Sequence, residues 1–321
     1  MKRKILNSFI ICIIGTLLLA DNKKEVKNKS SFSSGNEKSE AQFTNSDMDN
    51  IKRKKCVAFY YRNKNGYIIP LVPHSDVDTT LRNNHNTELF ILKFDDDISI
   101  DKDTGFFNFV FNGRKYLYIP DLYHPVAFQA GSQTSVPYTQ KQLQKLEDWH
   151  WQFFIKNIST SSFLTENTKN GEWKYDGKDI ERFPIVSTPG QKYEFIAMPW
   201  VEGASGDGTG EWIEIEIESR YYEKSQTLRI LNGYVDIRRP HLFKENNRIK
   251  EATLICTPEN PEQEIFEKKV VFEDFVYVKK IELEKKCKKI RLRIDSVFKG
   301  SKYDDTAITS IYTDDTFYFA R

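Results

Sequence analysis

Histidine is scarce in this chain. The five present (His74, His85, His124, His150 and His241) share no paired spacing that would suit a metal. No HExxH, no GxSxG and no Cys/His nucleophile context occurs, so the familiar hydrolase signatures are missing. Paired carboxylates of the glycosidase kind leave no short sequence mark, being spatial. Nothing else in the chain suggests chemistry, so the reading is of a protein that binds rather than catalyses, with no cofactor. A surplus of charge is missing too: 48 basic against 46 acidic residues leave a formal net charge of +2. A nucleic-acid partner would want a basic stripe, and the folded part has none.

Long apolar runs are absent beyond the first twenty residues. There Lys2, Arg3 and Lys4 precede ILNSFIICIIGTLLLA, the outline of a secretory signal. The run is short for a membrane span, which needs about 20 apolar residues. Ala20 is the expected cleavage position, although Leu18 is larger than usual two places before it. Cys12 lies mid-run after Ile11, which rules out a lipobox. The alternative is an uncleaved anchor; the expectation is export, with an extracytoplasmic location and no membrane insertion after cleavage. Without residues 1–20 the chain has 45 basic and 46 acidic residues.

Cysteine is also sparse. Cys56, Cys256 and Cys287 remain after export, an odd number in an oxidising compartment. Cys256 and Cys287 lie on neighbouring predicted strands and either pair or stay as separate buried thiols.

What is abundant is β-forming sequence, with 16 tyrosines and 23 phenylalanines. After a polar linker at 21–50, read as a disordered tether, residues 51–136 form a run of strands. Asn65-Gly66 and Asn112-Gly113 each sit between β-rich runs, the strongest short hairpin signal. Size and hairpin spacing there resemble a small SH3-like barrel. The acidic run Asp95, Asp96, Asp97, Asp101 and Asp103 partly resembles a calcium loop, but Gly105 falls at the fifth position and a strand follows directly. A hairpin turn is the better account. Residues 137–160 read as a linking helix, capped by Thr139, with Leu143, Leu146, Trp149 or His150, and Phe153 at helical spacing. Its aromatic stripe is expected to be core between the two modules rather than a partner surface.

From 161 to 321 the pattern is strand after strand with no intervening helix, which predicts an antiparallel sandwich or jelly roll. In WVEGASGDGTGEWIEIEI, Trp212, Glu214, Glu216 and Glu218 alternate with Ile213, Ile215 and Ile217, the mark of a half-buried strand. Gly206, Gly208 and Gly210 open a strand rather than a helix, so they make no phosphate loop.

Three phrases, WVEGASGDGTGEWIEI, then ILNGYVD with LFKENNRIKEATL, then VFKGSKYDDTAITSI, together resemble one family. It is the discoidin-like (F5/8 type C-like) domain at the front of streptococcal NAD-glycohydrolase toxins, also found in other exported bacterial proteins. The resemblance implies a mainly β fold with a galactose-binding-like jelly roll, and a carbohydrate or glycoconjugate ligand. It departs at DTAITSI, where Ala307 and Ser310 stand in place of cysteine and glutamate, which weakens any implied calcium site. No toxin catalytic half follows, so NAD hydrolysis does not carry over.

A sugar site needs an aromatic face and planar polar groups. The three phrases offer Trp200 and Tyr303 as rings, Glu202 and Asp304 as acceptors, and Asn246, Asn247 and Arg248 as donors. If their loops meet at one rim of the sandwich they form a shallow polar cleft. The bland account is that the asparagines hold loop backbone and Trp200 is core. The rival function is a cell-envelope adaptor whose N-terminal barrel holds a peptide of an envelope protein while the jelly roll is structural.

Overall fold

The Asn112-Gly113 hairpin forms in the computed structural model, which describes residues 46, 49, 53, 55–62, 67–70, 87–120, 127–131, 155–169, 171–181, 185–188, 192–195, 198–217 and 227–313; Asn65-Gly66 lies outside them, between two strands that do pair. These residues fall within the unit Lys38–Arg321. The signal, nearly all of the tether, and the linking helix as far as residue 154 lie outside the described residues.

β1 (Cys56–Arg62) pairs antiparallel with β2 (Tyr67–Pro70) across the Asn65-Gly66 segment, and on its other side with β3 (Thr87–Lys93). β4 (Ser99–Ile100), β5 (Phe107–Phe111), β6 (Arg114–Tyr118) and β7 (Phe128–Gln129) follow as a four-stranded meander. At the β5–β6 turn Asn112 and Gly113 both take positive φ, 49° and 71°, as a type I′ turn requires. The acidic run is indeed a turn. Asp101 accepts the backbone N–H groups of Asp103 and Thr104 at 3.0 and 3.1 Å, and its carboxylate pairs with Lys115 at 2.6 Å.

Among the described residues these strands do not close into the expected SH3-like barrel. They form two open sheets stacked over an aromatic layer in which Phe59 contacts Phe90, Phe109 and Tyr118 at centroid distances of 5.0–5.6 Å. β6 alternates between two apolar layers. Tyr116 and Tyr118 face the aromatic layer, while Leu117 faces the opposite way. That second face is already taken: Phe106, Leu117, Ile119 and Phe128 pack with Leu231, Val235, Phe243, Val276 and Val278 of the C-terminal region. The four-stranded sheet is thus covered on both faces around Leu117 and Tyr118, while Val110, paired with Lys115, stays exposed at its other end.

The C-terminal region begins earlier than the sequence suggests. β8 (Ile155–Thr160), at the end of the span read as the linking helix, is a strand. Two peripheral hairpins follow, β9 (Thr165–Thr168) with β10 (Gly171–Lys174) and β11 (Ile185–Thr188) with β12 (Lys192–Phe195). The sandwich proper is built from β13 (Trp200–Val201), β14 (Trp212–Ile217), β15 (Thr227–Asn232), β16 (Arg248–Pro258), β17 (Phe266–Val271), β18 (Val278–Glu282), β19 (Cys287–Phe298) and β20 (Ala307–Thr313), with one short helix, α1 (Leu242–Glu245). One sheet has the order β17-β16-β19-β14-β8 and the other β13-β20-β15-β18. The run KVVFEDFVYVKKIEL, which reads as one strand, is split between the two sheets as β17 and β18.

Alternation fixes which face is inside. On β14 Ile213, Ile215 and Ile217 are buried at 1–5% exposure, while Trp212, Glu214 and Glu216 stay partly open. The core between the sheets is aliphatic, with Leu228, Ile230, Leu254, Ile290, Leu292 and Ile308 among its members. Cys256 and Cys287 form a buried disulfide between adjacent strands β16 and β19, Cα–Cα 5.4 Å. Cys56 is buried in the other module.

The contact between modules is therefore a shared core. Val276 donates to the Gly105 carbonyl at 2.8 Å and Val278 to that of Pro120 at 3.1 Å. Gly105 needs to be glycine twice over: its φ is +72°, and a Cβ there would lie 2.6 Å from the Phe243 ring. Residues 155–321 expressed alone should expose this apolar face and melt at least about 10 °C below the full chain. An equal melting temperature by calorimetry would mean that the shared core contributes nothing.

Candidate functional site

The three family-like phrases do converge at one end of the sandwich. α1 ends at Asn246, whose backbone leaves the helix with φ −94° and ψ 162° and whose side chain donates to the Leu242 carbonyl at 2.9 Å. This turns the chain into β16. The next residue, Asn247, accepts the Gly300 N–H at 2.7 Å and donates to the Asp304 carbonyl, while its own N–H reaches the Asp305 carbonyl at 3.0 Å. The corner at 246–248 and the turn at 299–305 are thus bound directly to each other. The glycine-rich loop joins them: Glu202 accepts the N–H groups of Thr306 at 3.2 Å and Ala204 at 2.8 Å, and Thr306 Oγ1 donates to the Asp207 carbonyl at 2.7 Å.

Convergence does not make a cleft. Trp200, Glu202 and Asn247 are fully buried, and Arg248 and Asn246 are only 3% and 6% exposed. The Trp200 indole donates to the Ser162 carbonyl at 2.9 Å from within the core. Arg248 spends its guanidinium inward. It pairs with Asp274 at 2.6 Å, donates to the carbonyls of Asn246 and Lys299 at 2.9 and 3.1 Å, and lies 5.4 Å over the Phe243 ring. These groups are satisfied by the protein itself and face no solvent that a sugar could displace. Of the seven residues proposed from sequence, Tyr303 and Asp304 alone are open to water. Tyr303 is 39% exposed with the Lys302 ammonium 4.8 Å over its ring, and Asp304 is 3.9 Å from Lys299.

The electrostatics of this end follow the same logic. Burial pushes the Glu202 carboxyl above its ordinary 4.5, against the pull of its two N–H donors. Asp305 is likewise raised, by burial and then by the neighbouring Glu166 and Asp304 carboxylates. Asp207 moves the other way, to about 2, because Thr209 and Lys299 hydrogen-bond its charged form. Gly208 is the residue that lets the loop close over Glu202: its φ is +74°, and a Cβ would sit 2.8 Å from the Glu202 Cγ. Ser310, at the family's departing position, is fully buried on β20 and donates to the Ile180 carbonyl at 3.1 Å. A nearby cleft between Trp173 and Pro199 has a volume of about 10 Å3, room for roughly one water and no sugar.

Two constellations escaped sequence reasoning. Asp274, the counter-ion of Arg248, lies between β17 and β18, where the sequence looked like uninterrupted strand. On the outer face of the five-stranded sheet Arg291 stacks 4.1 Å over the Trp212 ring and pairs with Glu214 at 2.8 Å. A signal for the second existed: the basic alternation Lys289, Arg291, Arg293 in one strand complements Trp212, Glu214 and Glu216 in another.

Residues 192–314 match the family of NAD glycohydrolase translocation F5/8 type C domains. The match spans the sandwich from β12 to just beyond β20 and covers less than half of the chain. It shows the discoidin-like resemblance for this segment. No curated protein matches the chain. Among solved structures, an arabinofuranosyltransferase from mycobacteria is 12% identical, with 48% of this chain and 10% of that one covered, TM-score 0.28. A glycoside hydrolase is 10% identical over 80% of this chain and 43% of its own, TM-score 0.32. A family 29 carbohydrate-binding module is 8% identical over 49% and 88%, TM-score 0.24. The chain thus spans a tenth of the first structure and under half of the second, and TM-scores this low carry neither fold nor function across. Among the described residues no helix is long and apolar enough to cross a membrane.

Removing the inward guanidinium should be severe. Arg248→Ala leaves the buried carbonyls of Asn246 and Lys299 without their donor, while Asp274 keeps Lys244 at 2.9 Å, and is expected to cost about 2–3 kcal/mol in urea unfolding; a loss under about 0.5 kcal/mol would show that the corner holds without it. For Glu202 the sign follows from its raised folded pKa: stability from its protonated form is complete below 4.5 and is lost as pH rises through the higher folded value. Glu202→Gln should therefore gain on the wild type as pH rises through that window. Urea unfolding between about pH 4 and about pH 8 would show a constant difference if Glu202 titrated normally.

Proposed function

We propose that the protein is an exported, non-catalytic binding protein whose C-terminal sandwich recognises a carbohydrate or glycoconjugate. The observation that carries this reading is the match of residues 192–314 to an F5/8 type C domain on a two-sheet sandwich. Its family resemblance implies a glycan ligand and an extracytoplasmic setting, and the basic head with its apolar run supports export. Two of the buried carboxylates are structural. Glu202 is held by two backbone N–H groups, and Asp236 is fully buried between Arg238 and Arg239 at 2.9 and 3.0 Å. A hydrolytic pair needs two carboxyl groups open to substrate, about 5–9.5 Å apart, and neither of these faces a cleft.

The shared core weighs against a separate peptide-holding module, since one face of the four-stranded sheet is already committed to the sandwich. The test is a glycan array probed with the full chain, followed by incubation with whichever glycan binds. The expected outcome is retention with no release of reducing ends. Silence across neutral, amino and acidic sugars would end the carbohydrate reading, and turnover would end the non-catalytic one.

A further inference from the structure

The outer face of the five-stranded sheet differs from an ordinary solvated face in carrying a tryptophan at the head of a polar ladder. Register places Lys269, Thr253, Arg293 and Trp212 side by side on β17, β16, β19 and β14. At about 4.8 Å per strand this rank runs roughly 14 Å across the sheet. A second rank behind it sets Arg291 against Glu214. The two ranks are linked through Trp212, whose partly exposed indole has the Arg291 guanidinium 4.1 Å over it.

The charges on this face balance as a group: Lys156, Lys269, Lys289, Arg291 and Arg293 meet Glu214, Glu216, Glu251, Glu267 and Asp295, with Glu216 taking Lys156 at 3.8 Å and Glu251 and Glu267 exposed. Asp295 takes both Lys269, at 2.7 Å, and Arg293, at 3.4 Å; Glu214 takes both Arg291, at 2.8 Å, and Lys289, at 3.8 Å. A polyanion would have to displace carboxylates from cations already paired and would meet Glu251 and Glu267 besides, so the face does not favour a phosphate, sulfate or uronate. A neutral polyhydroxyl chain has no such cost. Its hydroxyls can donate to the carboxylates and accept from the guanidinium and ammonium edges, while its C–H face lies on the flat Trp212–Arg291 stack. The rim is a poorer candidate, since five of its seven proposed residues face inward.

We propose that this sheet face, centred on the Trp212–Arg291 stack, is the platform for an uncharged, extended polysaccharide. The inference rests on the carbohydrate reading and gives it a site and a ligand class. The test is affinity electrophoresis of the full chain through gels containing hydroxyethylcellulose, glucomannan or soluble starch, with alginate as the acidic comparison. At least one neutral polymer should retard the wild type. Trp212→Ala and Arg291→Ala should each weaken retention about tenfold, and Tyr303→Ala should leave it unchanged. Arg291→Lys, which keeps the charge and loses the planar stack, should behave like Arg291→Ala. Arg291 is a surface residue, so its variants should melt like the wild type and report binding even if Trp212→Ala folds poorly. Full retention by both Arg291 variants would overturn the platform while leaving glycan binding intact. Retention by alginate alone, abolished by salt, would overturn it too. Array binding without retention by any polymer would remove the extended neutral ligand, and silence in both assays would remove the carbohydrate reading with it.

Discussion

The guanidinium of Arg248 is the point at which the separate parts of this protein are tied. It sits at the first residue of β16 and reaches four segments at once: α1 through the Lys244 carbonyl, the corner through that of Asn246, the β19 end through that of Lys299, and the β17–β18 connection through Asp274. That last connection also carries Phe275 against Phe107 and Val276 against Gly105, so the same ion pair positions the loop on which the N-terminal sheets rest. A delocalised, forked cation suits this task, because it can satisfy carbonyls and a carboxylate in one plane where a lysine would serve one direction. Asn247 completes the knot by bridging to Gly300 and Asp304.

This explains why the rim is rigid and why it is closed. A ligand site needs polar groups with spare hydrogen-bonding capacity facing water; here that capacity is used to join loops. Each loop supplies backbone groups that would otherwise be stranded in a buried place, and the asparagine, glutamate and arginine side chains are their partners. The glycines at 105 and 208 belong to the same design, since both let backbone approach a buried side chain closely.

Much of this architecture was legible in the sequence. The period-two alternation of β14, the Asn112-Gly113 turn, the two-sheet pattern and the cysteines on neighbouring strands all follow from local rules that the fold obeys. What misled were features decided by tertiary packing. The N-terminal strands have the size and turns of a small barrel, but Leu117, Ile119 and Phe128 give no local hint that they pack on a distant sandwich. Residues 155–160 enter the helix only by extending it past Phe153, the last residue of its apolar spacing; β14 offers them an unpaired edge, and pairing along that edge prevails. At the rim, the reading correctly brought distant phrases to one place. It could not tell which way their side chains point, because Asn, Glu and Arg serve equally well as loop fasteners and as ligand contacts.

The same physics separates the residues that mark the family from those that would choose a ligand. The phrases that match an F5/8 type C domain are rich in groups that a sandwich of this topology must satisfy internally: the corner asparagines, the buried glutamate, the inward arginine. They report how the loops are fastened, and any sequence that fastens them in this way will carry them whatever it binds. Ligand choice has to reside in positions the fold leaves free, which on a sandwich are the outward residues of each strand and the exposed tips of turns. On this protein the outward residues of β14, β16, β17 and β19 form a charge-balanced ladder around one indole, while the turn tip offers a tyrosine and an aspartate. The sheet face is the larger of the two, is built on rigid strands, and holds its side chains in place by mutual ion pairs. It is the surface on which an extended partner meets an already ordered array of groups, and so loses least conformational freedom on binding.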